Sequence, residues 1–473
     1  FGQFALSDAS TTALPEDWLC DNISDWSLNF DSTLPVIRLQ QEDGRSLGWI
    51  LGYPITDKGV LIVDKTLVLP REVTQTDLSL EDFIYSFGGR FAVAIVTGGA
   101  PRFYLDPCGS LSAVFSGEKR IVASTPGLIP YDDMTTDRCR LARGIGIPAT
   151  NGMYPLGLTP RRGIDRLLPN HFLDLSRWEV SRHWPKRPLA EPIAVAEAIS
   201  DIADVVRRNI SAIVARKKTR LTLTAGRDSR MLLACARTHV HDIECLTVEI
   251  GDEGCQIDCE IASQISHRFK IKHTLLGKVT PAQDDLDEWM SRISYSTGEM
   301  RGSSCATAMK RLSGPDHALL KGNAGEIARG FYWFDDDSED SVIPPERLAF
   351  HCHCPPHEEV LSRARHWLET TPAADSLQLL DLFYIEQRLG CWAGVWPYAD
   401  CEAGFNIFPM CHRGVIERML RLPTAYRRSG RLMQDIIARE WPELLRWSFN
   451  KPHDQGQLTA RVRKWANKAA MVS

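Results

Sequence analysis

The densest chemistry in the chain lies in six consecutive residues, Thr224, Ala225, Gly226, Arg227, Asp228 and Ser229. A glycine, a carboxylate and two hydroxyls stand where the alternating stretch Leu221–Thr224 gives way to the apolar, helix-forming run that continues to Arg237. Two readings are open for such a junction. Ser229 or Asp228 can cap the start of the helix. Alternatively, the N–H groups of Ala225, Gly226 and Arg227 form an anion cradle, because N–H groups at a helix start point outward with the positive end of the dipole. Gly226 then lets a phosphate approach the main chain, and the Ser229 hydroxyl completes the cradle. Asp228 offers oxygens to a hard cation such as magnesium. Arg227 and Arg230 read either as anion clamps or as surface arginines on the first helical turn.

The surrounding pattern supplies elements that would position this turn. From Phe1 to about Trp184 short apolar runs such as "LGWILGYPI", "GRFAVAIVTGG" and "RFYLDPCGSLSAVF" are broken by Gly, Pro and Asp. That spacing predicts a mostly antiparallel β domain. Beyond it, Ala194 to about Lys217 has apolar residues at helical spacing. Strand candidates then alternate with helices: Arg220–Thr224, "ECLTVEIG", "HTLL" and "HALLKGN". Alternation of this kind predicts a parallel sheet with right-handed crossovers, whose ligands gather at the carboxyl ends of the strands. The last third, rich in aromatics, reads as a helical cap.

Composition bounds the function. The 473 residues are 44% hydrophobic and 24% charged with a formal charge of −5, which fits a globular chain without a basic excess for nucleic acid. No apolar run reaches the roughly 18 residues of a membrane helix, and no signal segment opens the sequence, so the expected compartment is the cytoplasm. The thirteen cysteines are scattered and set mostly among apolar neighbours, as reduced core thiols would be. One cluster, His351, Cys352, His353, Cys354 and His357, offers soft ligands, though without knuckle spacing; it reads as a metal site or as a surface loop inserted between motifs.

Taken in order, these motifs resemble the asparagine synthetase family, in which a glutaminase-like domain precedes an ATP pyrophosphatase domain. "TAGRDS" is similar to that family's phosphate loop, with Thr224 and Ala225 in place of Ser and Gly. "LTVEIGDEGCQIDCEIASQISHRFKIKHTLL" resembles the strand, acidic turn and helix that follow, with Asp258 at the acidic position, and "LLKGNAGEIARGFYW" resembles the second metal loop. "DLFYIEQRLGCW" and "WSFNKP" resemble segments that supply a glutamate and a lysine to the second half-reaction. The resemblance runs from end to end. It implies an N-terminal Ntn-hydrolase-like, β-rich α+β domain over residues 1–185. An α/β parallel-sheet ATP pyrophosphatase domain, of adenine nucleotide α-hydrolase type with a helical C-terminal cap, would follow over 186–473.

The same resemblance implies ATP and Mg2+ as cofactors. Thr224, Ala225, Gly226, Arg227, Ser229 and Gly322 would hold phosphates, the backbone of Leu246 and Val248 would read adenine, and Asp228 with Glu326 would hold metal. Lys451 is the candidate cation for a tetrahedral oxyanion, its alternative being a solvated loop lysine. Glu386 is the candidate base or amine-orienting group, its alternative a surface pair with Arg388. Asn323 stands where relatives carry a glutamate or tyrosine, which leaves Tyr384 and Glu386 as substitute proton acceptors.

The opening "FGQFALSDAS" has Phe1 where a working glutaminase of the family has cysteine, and Cys20 is too distant to replace it. An inactive glutaminase domain is therefore expected. The resemblance then points to relatives that join a carboxylate to a substrate amine, namely β-lactam synthetases and lasso-peptide cyclases. The expected partner is a peptide or small-molecule carboxylate, with a precursor peptide and its leader-processing proteins among the candidates, and with neither nucleic acid nor membrane insertion. A sugar-acid amidotransferase using ammonia and a non-catalytic nucleotide-binding member are the other readings.

Overall fold

The computed structural model describes residues 2–8, 14–131, 138–150, 152–189, 191–251, 253–298, 302–312, 314 and 316–449. The amino-terminal part is a two-sheet sandwich. One sheet is antiparallel and six-stranded, in the order Asp165–Leu167, Ala113–Ser116, Ile121–Ala123, Phe4–Ser7, Trp26–Phe30 and Leu19–Ile23. The other has seven strands, Glu179–Arg182, His171–Asp174, Arg102–Leu105, Gly88–Ile95, Ser46–Ile55, Val36–Gln41 and Thr66–Leu69, and only the last pairing is parallel.

Alternation explains why the strand Gly88–Ile95 is buried along its whole length. Ala92 and Ala94 face the other sheet, beside Trp49, Leu51 and Phe103, and Phe103 stacks on Phe4 across the gap at 5.8 Å. Phe91, Val93 and Ile95 face the opposite way, onto Leu80 and Ile84 of the helix Asp77–Tyr85. Small residues on one face and large ones on the other let a single strand serve two cores.

The second sheet family is fully parallel, and its strands are numbered here within it: β1 Thr219–Thr222, β2 Ile243–Val248, β3 His273–Leu276, β4 Ala318–Leu320 and β5 Phe405–Ile407. Their spatial order is β3-β2-β1-β4-β5. Four of the five fall where the hydrophobic pattern places them. The fifth, β5, interrupts the stretch read as a helical cap. The amphipathic helix Val195–Val214 buries Ile202, Val206, Ile210 and Ile213 in the same core as Leu221, Cys245 and Leu320. The helix Leu432–Glu440 shares that core through Leu432, Met433, Ile436 and Ile437.

An α-helix over Ser376–Phe383 continues into a ten-residue π-helix, Tyr384–Ala393. This segment lies against the sandwich. Gln387 accepts the Leu156 N–H at 2.6 Å, and a Cβ on Gly390 would overlap the Pro169 ring. A Cβ on Gly394 would likewise overlap the Gly109 carbonyl. None of the thirteen cysteines forms a disulfide. No helix among the described residues is long and apolar enough to cross a membrane.

Candidate active site

In the order β3-β2-β1-β4-β5 the chain leaves β1 toward β2 and leaves β4 toward β5, in opposite directions along the sheet, so a crevice opens between the carboxyl ends of β1 and β4. The two motif loops flank this crevice. Thr224–Ser229 follows β1, and Gly322–Glu326 follows β4.

The first loop is a hydroxyl-pinned turn into the helix Arg227–Cys235. Gly226 stands at the N-cap in an extended conformation. Its N–H donates to Thr224 Oγ1 at 3.0 Å, the Thr224 N–H donates to Ser229 Oγ at 3.2 Å, and the two hydroxyls lie 2.9 Å apart. The Ala225 N–H donates to Asp258 Oδ1 at 2.9 Å. A carboxylate from the helix Glu253–Phe269 thus already sits on one donor of the cradle, where a phosphate oxygen would otherwise go.

Arg227 and Arg230 differ in role. Arg227 lies beside the Phe449 ring at 5.9 Å. Arg230 is fully buried and donates to the carbonyls of Ala225, Trp447 and Ser448 at 3.0, 2.7 and 2.8 Å, with its guanidinium 4.1 Å from the Phe449 ring. Burial lowers its pKa to about 10, against the opposing pull of Asp258. It is neither a surface arginine nor an anion clamp. It ties the chain's last described stretch to the phosphate-type turn.

The second loop packs on the first by backbone. A Cβ on Gly325 would overlap Asp228 Oδ1, and one on Gly322 would lie 2.9 Å from the Asp228 Cβ. Glycine at both positions lets the loop close over Asp228. The carboxylates expected to hold metal are then bridged by a group the sequence reading missed. Arg329 donates to both oxygens of Asp228 at 3.1 Å and pairs with Glu326 at 3.1 Å. Burial pulls the Arg329 pKa down, but the charges of Asp228 and Glu326 outweigh it and hold it above its ordinary value. The Tyr384 hydroxyl donates to Glu326. Burial raises the Glu326 pKa, Arg329 opposes the rise and Asp228 adds to it.

Tested against a resident Mg2+, these donors do not fit. Both Asp228 oxygens and one Glu326 oxygen already face guanidinium N–H groups, whereas a bound divalent ion takes those lone pairs itself. Arg329 was legible only as a base three residues after Glu326, a spacing that brings side chains together on one helical turn.

The other expected residues divide. Tyr384 belongs to the site, but as a donor: burial, followed by the Glu326 charge, raises its pKa well above the ordinary tyrosine value, so it keeps its proton. Glu386 is engaged elsewhere. It is fully buried and accepts from Arg182 at 2.5 Å, Asn170 at 2.9 Å and Trp367 at 2.7 Å. Burial raises its pKa, but Arg182 outweighs this and the net shift is downward. Neither a mobile base nor a surface pair with Arg388 describes it; Arg388 stacks over Trp392 at 3.6 Å. The Leu246 carbonyl lies within the sheet and accepts the Leu223 N–H at 2.8 Å, and the Val248 carbonyl accepts from the Cys255 thiol at 3.2 Å.

Lys451 and Phe1 lie outside the described residues. In the His351–His357 cluster, His351, Cys352 and Cys354 are core residues, with His351 stacked 4.3 Å from Tyr332, and His357 caps the helix Glu358–Thr370. The surface-loop reading of that cluster is thereby corrected. Among the described residues the grouping with metal-type spacing is instead Asp106, Cys108 and Cys411. There Asp106 is satisfied by the N–H groups of Cys108, Ser110 and Leu111 at 3.0 Å, the mark of a turn.

No protein-family model and no curated protein matches the chain. Among solved structures it is similar to an NH3-dependent NAD synthetase from Campylobacter jejuni subsp. jejuni NCTC 11168 in complex with the nitrate ion. That likeness has 12% identity over 37% of this chain and 82% of the other, with a TM-score of 0.21. It is also similar to an NMN synthetase from Francisella tularensis, at 10% identity over 41% and 93% of the two chains and a TM-score of 0.22. TM-scores this low carry no argument about chemistry.

Proposed function

We propose that the chain is an AMP-forming amide ligase: it binds ATP across the β1–β4 crevice, transfers AMP to a carboxylate with release of pyrophosphate, and joins the acyl group to an amine. One observation carries this reading. The turn Thr224–Ser229 and the loop Gly322–Glu326, which the sequence singles out separately, meet side by side at the point of the sheet where ligands of doubly wound folds bind.

The residues would divide the work as follows. The positive start of the helix Arg227–Cys235, with the Ser229 and Thr224 hydroxyls, orients the departing pyrophosphate. A phosphate oxygen takes the Ala225 N–H from Asp258 on binding. Arg227 and Arg329 supply fixed positive charge near the phosphates. Tyr384 and Asp228 hold Glu326 and Arg329 in place from either side. A divalent ion that enters on the nucleotide belongs to the substrate. Lys451 remains the proposed cation for the acyl-transfer half, two residues beyond Phe449, which Arg230 anchors at the turn. The favoured carboxylate belongs to a ribosomally made peptide closed into a macrolactam, and a sugar acid or small-molecule carboxylate is the competing substrate class.

The test is product identity. Supplied with ATP, magnesium and an acceptable carboxylate, the protein should release AMP and pyrophosphate, and Asp228→Asn should lower the rate by roughly a hundredfold, as expected when several kcal/mol of charge stabilisation are lost. Release of ADP and phosphate would remove the adenylation reading.

A further inference from the structure

Two carboxylates facing each other across a phosphate-type crevice need a cation between them. In this chain the cation is covalently supplied. Arg329 spans the gap with both terminal nitrogens on Asp228 and one of them on Glu326, all at 3.1 Å. The arrangement is held from three sides. Gly325 brings the loop backbone against Asp228, Tyr384 donates to the second carboxylate, and the loop carrying Arg329 ends in two left-handed residues, Ala324 and Gly330, with φ of 80° and 56°. A non-glycine residue in that conformation is held by its surroundings rather than by preference. Arg329 is half-buried, with 23% of its side chain exposed, so part of the side chain stays accessible.

A guanidinium and a hydrated divalent ion solve the same electrostatic problem differently. The planar fork matches a carboxylate on one edge and can present N–H groups to a phosphate oxygen on another, and it cannot be lost by dissociation. It carries one charge where magnesium carries two, so it neutralises the pair Asp228–Glu326 only in part and leaves no oxygen-lined vacancy of the kind a magnesium ion occupies.

We infer that Arg329 is the built-in cation of this phosphate site, occupying the position of a resident divalent ion between Asp228 and Glu326 and contacting the phosphates of a bound nucleoside triphosphate directly. The inference rests on the nucleotide reading above, and its experiment separates the two. The first measurement is direct binding of ATP to the full chain, by calorimetry, in EDTA and in excess Mg2+. The second is uptake of Mn2+ by the nucleotide-free protein, followed by the loss of the free-ion paramagnetic resonance signal.

The wild-type chain should bind ATP in EDTA within about threefold of its affinity in Mg2+, since the charge-assisted contacts come from the protein. Nucleotide-free protein should take up no stoichiometric Mn2+. Arg329→Met should lower metal-free ATP affinity by roughly tenfold or more, the scale of one lost charge-assisted hydrogen bond, and should gain a Mn2+ site. Arg329→Lys should keep part of the metal-free binding and gain no Mn2+ site. If Arg329→Met fails to fold, the two wild-type measurements still decide. ATP binding that strictly requires Mg2+, or stoichiometric Mn2+ on the nucleotide-free wild type, overturns the inference and leaves the nucleotide reading standing. Absence of ATP binding under both conditions overturns both.

Discussion

At the scale of single residues, the candidate site depends on atoms that are missing as much as on those present. Gly325 lacks the one carbon that would collide with Asp228 Oδ1, and its backbone is not in a left-handed conformation. Alanine there is therefore a steric change with no backbone penalty. Gly325→Ala should displace the loop from Asp228 and weaken ATP binding by roughly tenfold, with overpacking costing about 1–3 kcal/mol in a denaturant melt. Unchanged ATP affinity in calorimetry would show that the second loop takes no part in binding. Residue types were legible here in proportion to how local their chemistry is. Thr224, Gly226 and Ser229 build a turn from neighbours within five positions, so the sequence discloses it. Arg230 and Glu386 look like ordinary helix-surface charges, because the groups that bury them lie more than two hundred positions away. Tyr384 reads in the sequence as a substitute proton acceptor, whereas beside Glu326 its hydroxyl donates.

At the scale of elements, several ends are held by groups that titrate. His412 caps the helix Arg413–Leu420 by accepting the Gly414 N–H on Nδ1 at 3.0 Å, a role open only to the neutral ring. Burial, and then Arg208, Arg418 and Arg413, lower its pKa to about 4. His183 and His351, both buried, are lowered well below the ordinary histidine value, in each case by burial first and then by neighbouring arginines. Between about pH 6.5 and 4 the unfolded chain binds protons that the folded chain refuses, so stability falls as pH drops through that window. His412→Asn keeps a neutral cap at every pH. Thermal melts from pH 7.5 to 4 should therefore show a shallower acid limb in this variant, with His412 accounting for something on the order of 3 kcal/mol of the wild-type slope. Parallel curves for the two proteins would show that His412 is freely protonated in the fold. Element type was read best where a period had room to show, as in the helix Val195–Val214. It was missed at β5, and at the π-helix, whose residues are those of an ordinary helix.

At the scale of the whole molecule, the sandwich and the parallel sheet are joined by polar groups that neither shares with water. Glu386 takes its donors from the sandwich side through Asn170 and Arg182, and from the helical side through Trp367. Glu386→Gln removes the charge and leaves Arg182 with its counterion gone. The expected loss is about 3–5 kcal/mol of unfolding free energy, since breaking a buried pair strands its partner. ATP affinity of the folded fraction should stay near wild type. A variant of wild-type stability that makes no amide product would return Glu386 to the chemistry. The mostly antiparallel amino-terminal strands and the β/α alternation were readable from hydrophobic pattern alone, whereas the division of those strands into two sheets was not. This seam was not, because long-range ion pairs leave no periodic trace in the chain.

The π-helix Tyr384–Ala393 gives that seam a second meaning. One end carries Tyr384 against Glu326, and the other carries Gly390 and Gly394 against the loops of Pro169 and Gly109. A π-turn accommodates one residue more than the α-turn it replaces. Chain length between Tyr384 and Gly390 is thus a setting in its own right, separate from the identity of any side chain. Adding or removing a residue there without a matching change of helix type would turn one end by on the order of 100° relative to the other. The hydroxyl would then leave Glu326, or the glycines would leave the sandwich. Descendants of this chain can exchange most side chains along that segment and keep both contacts, but an insertion or deletion within it is a change of gearing.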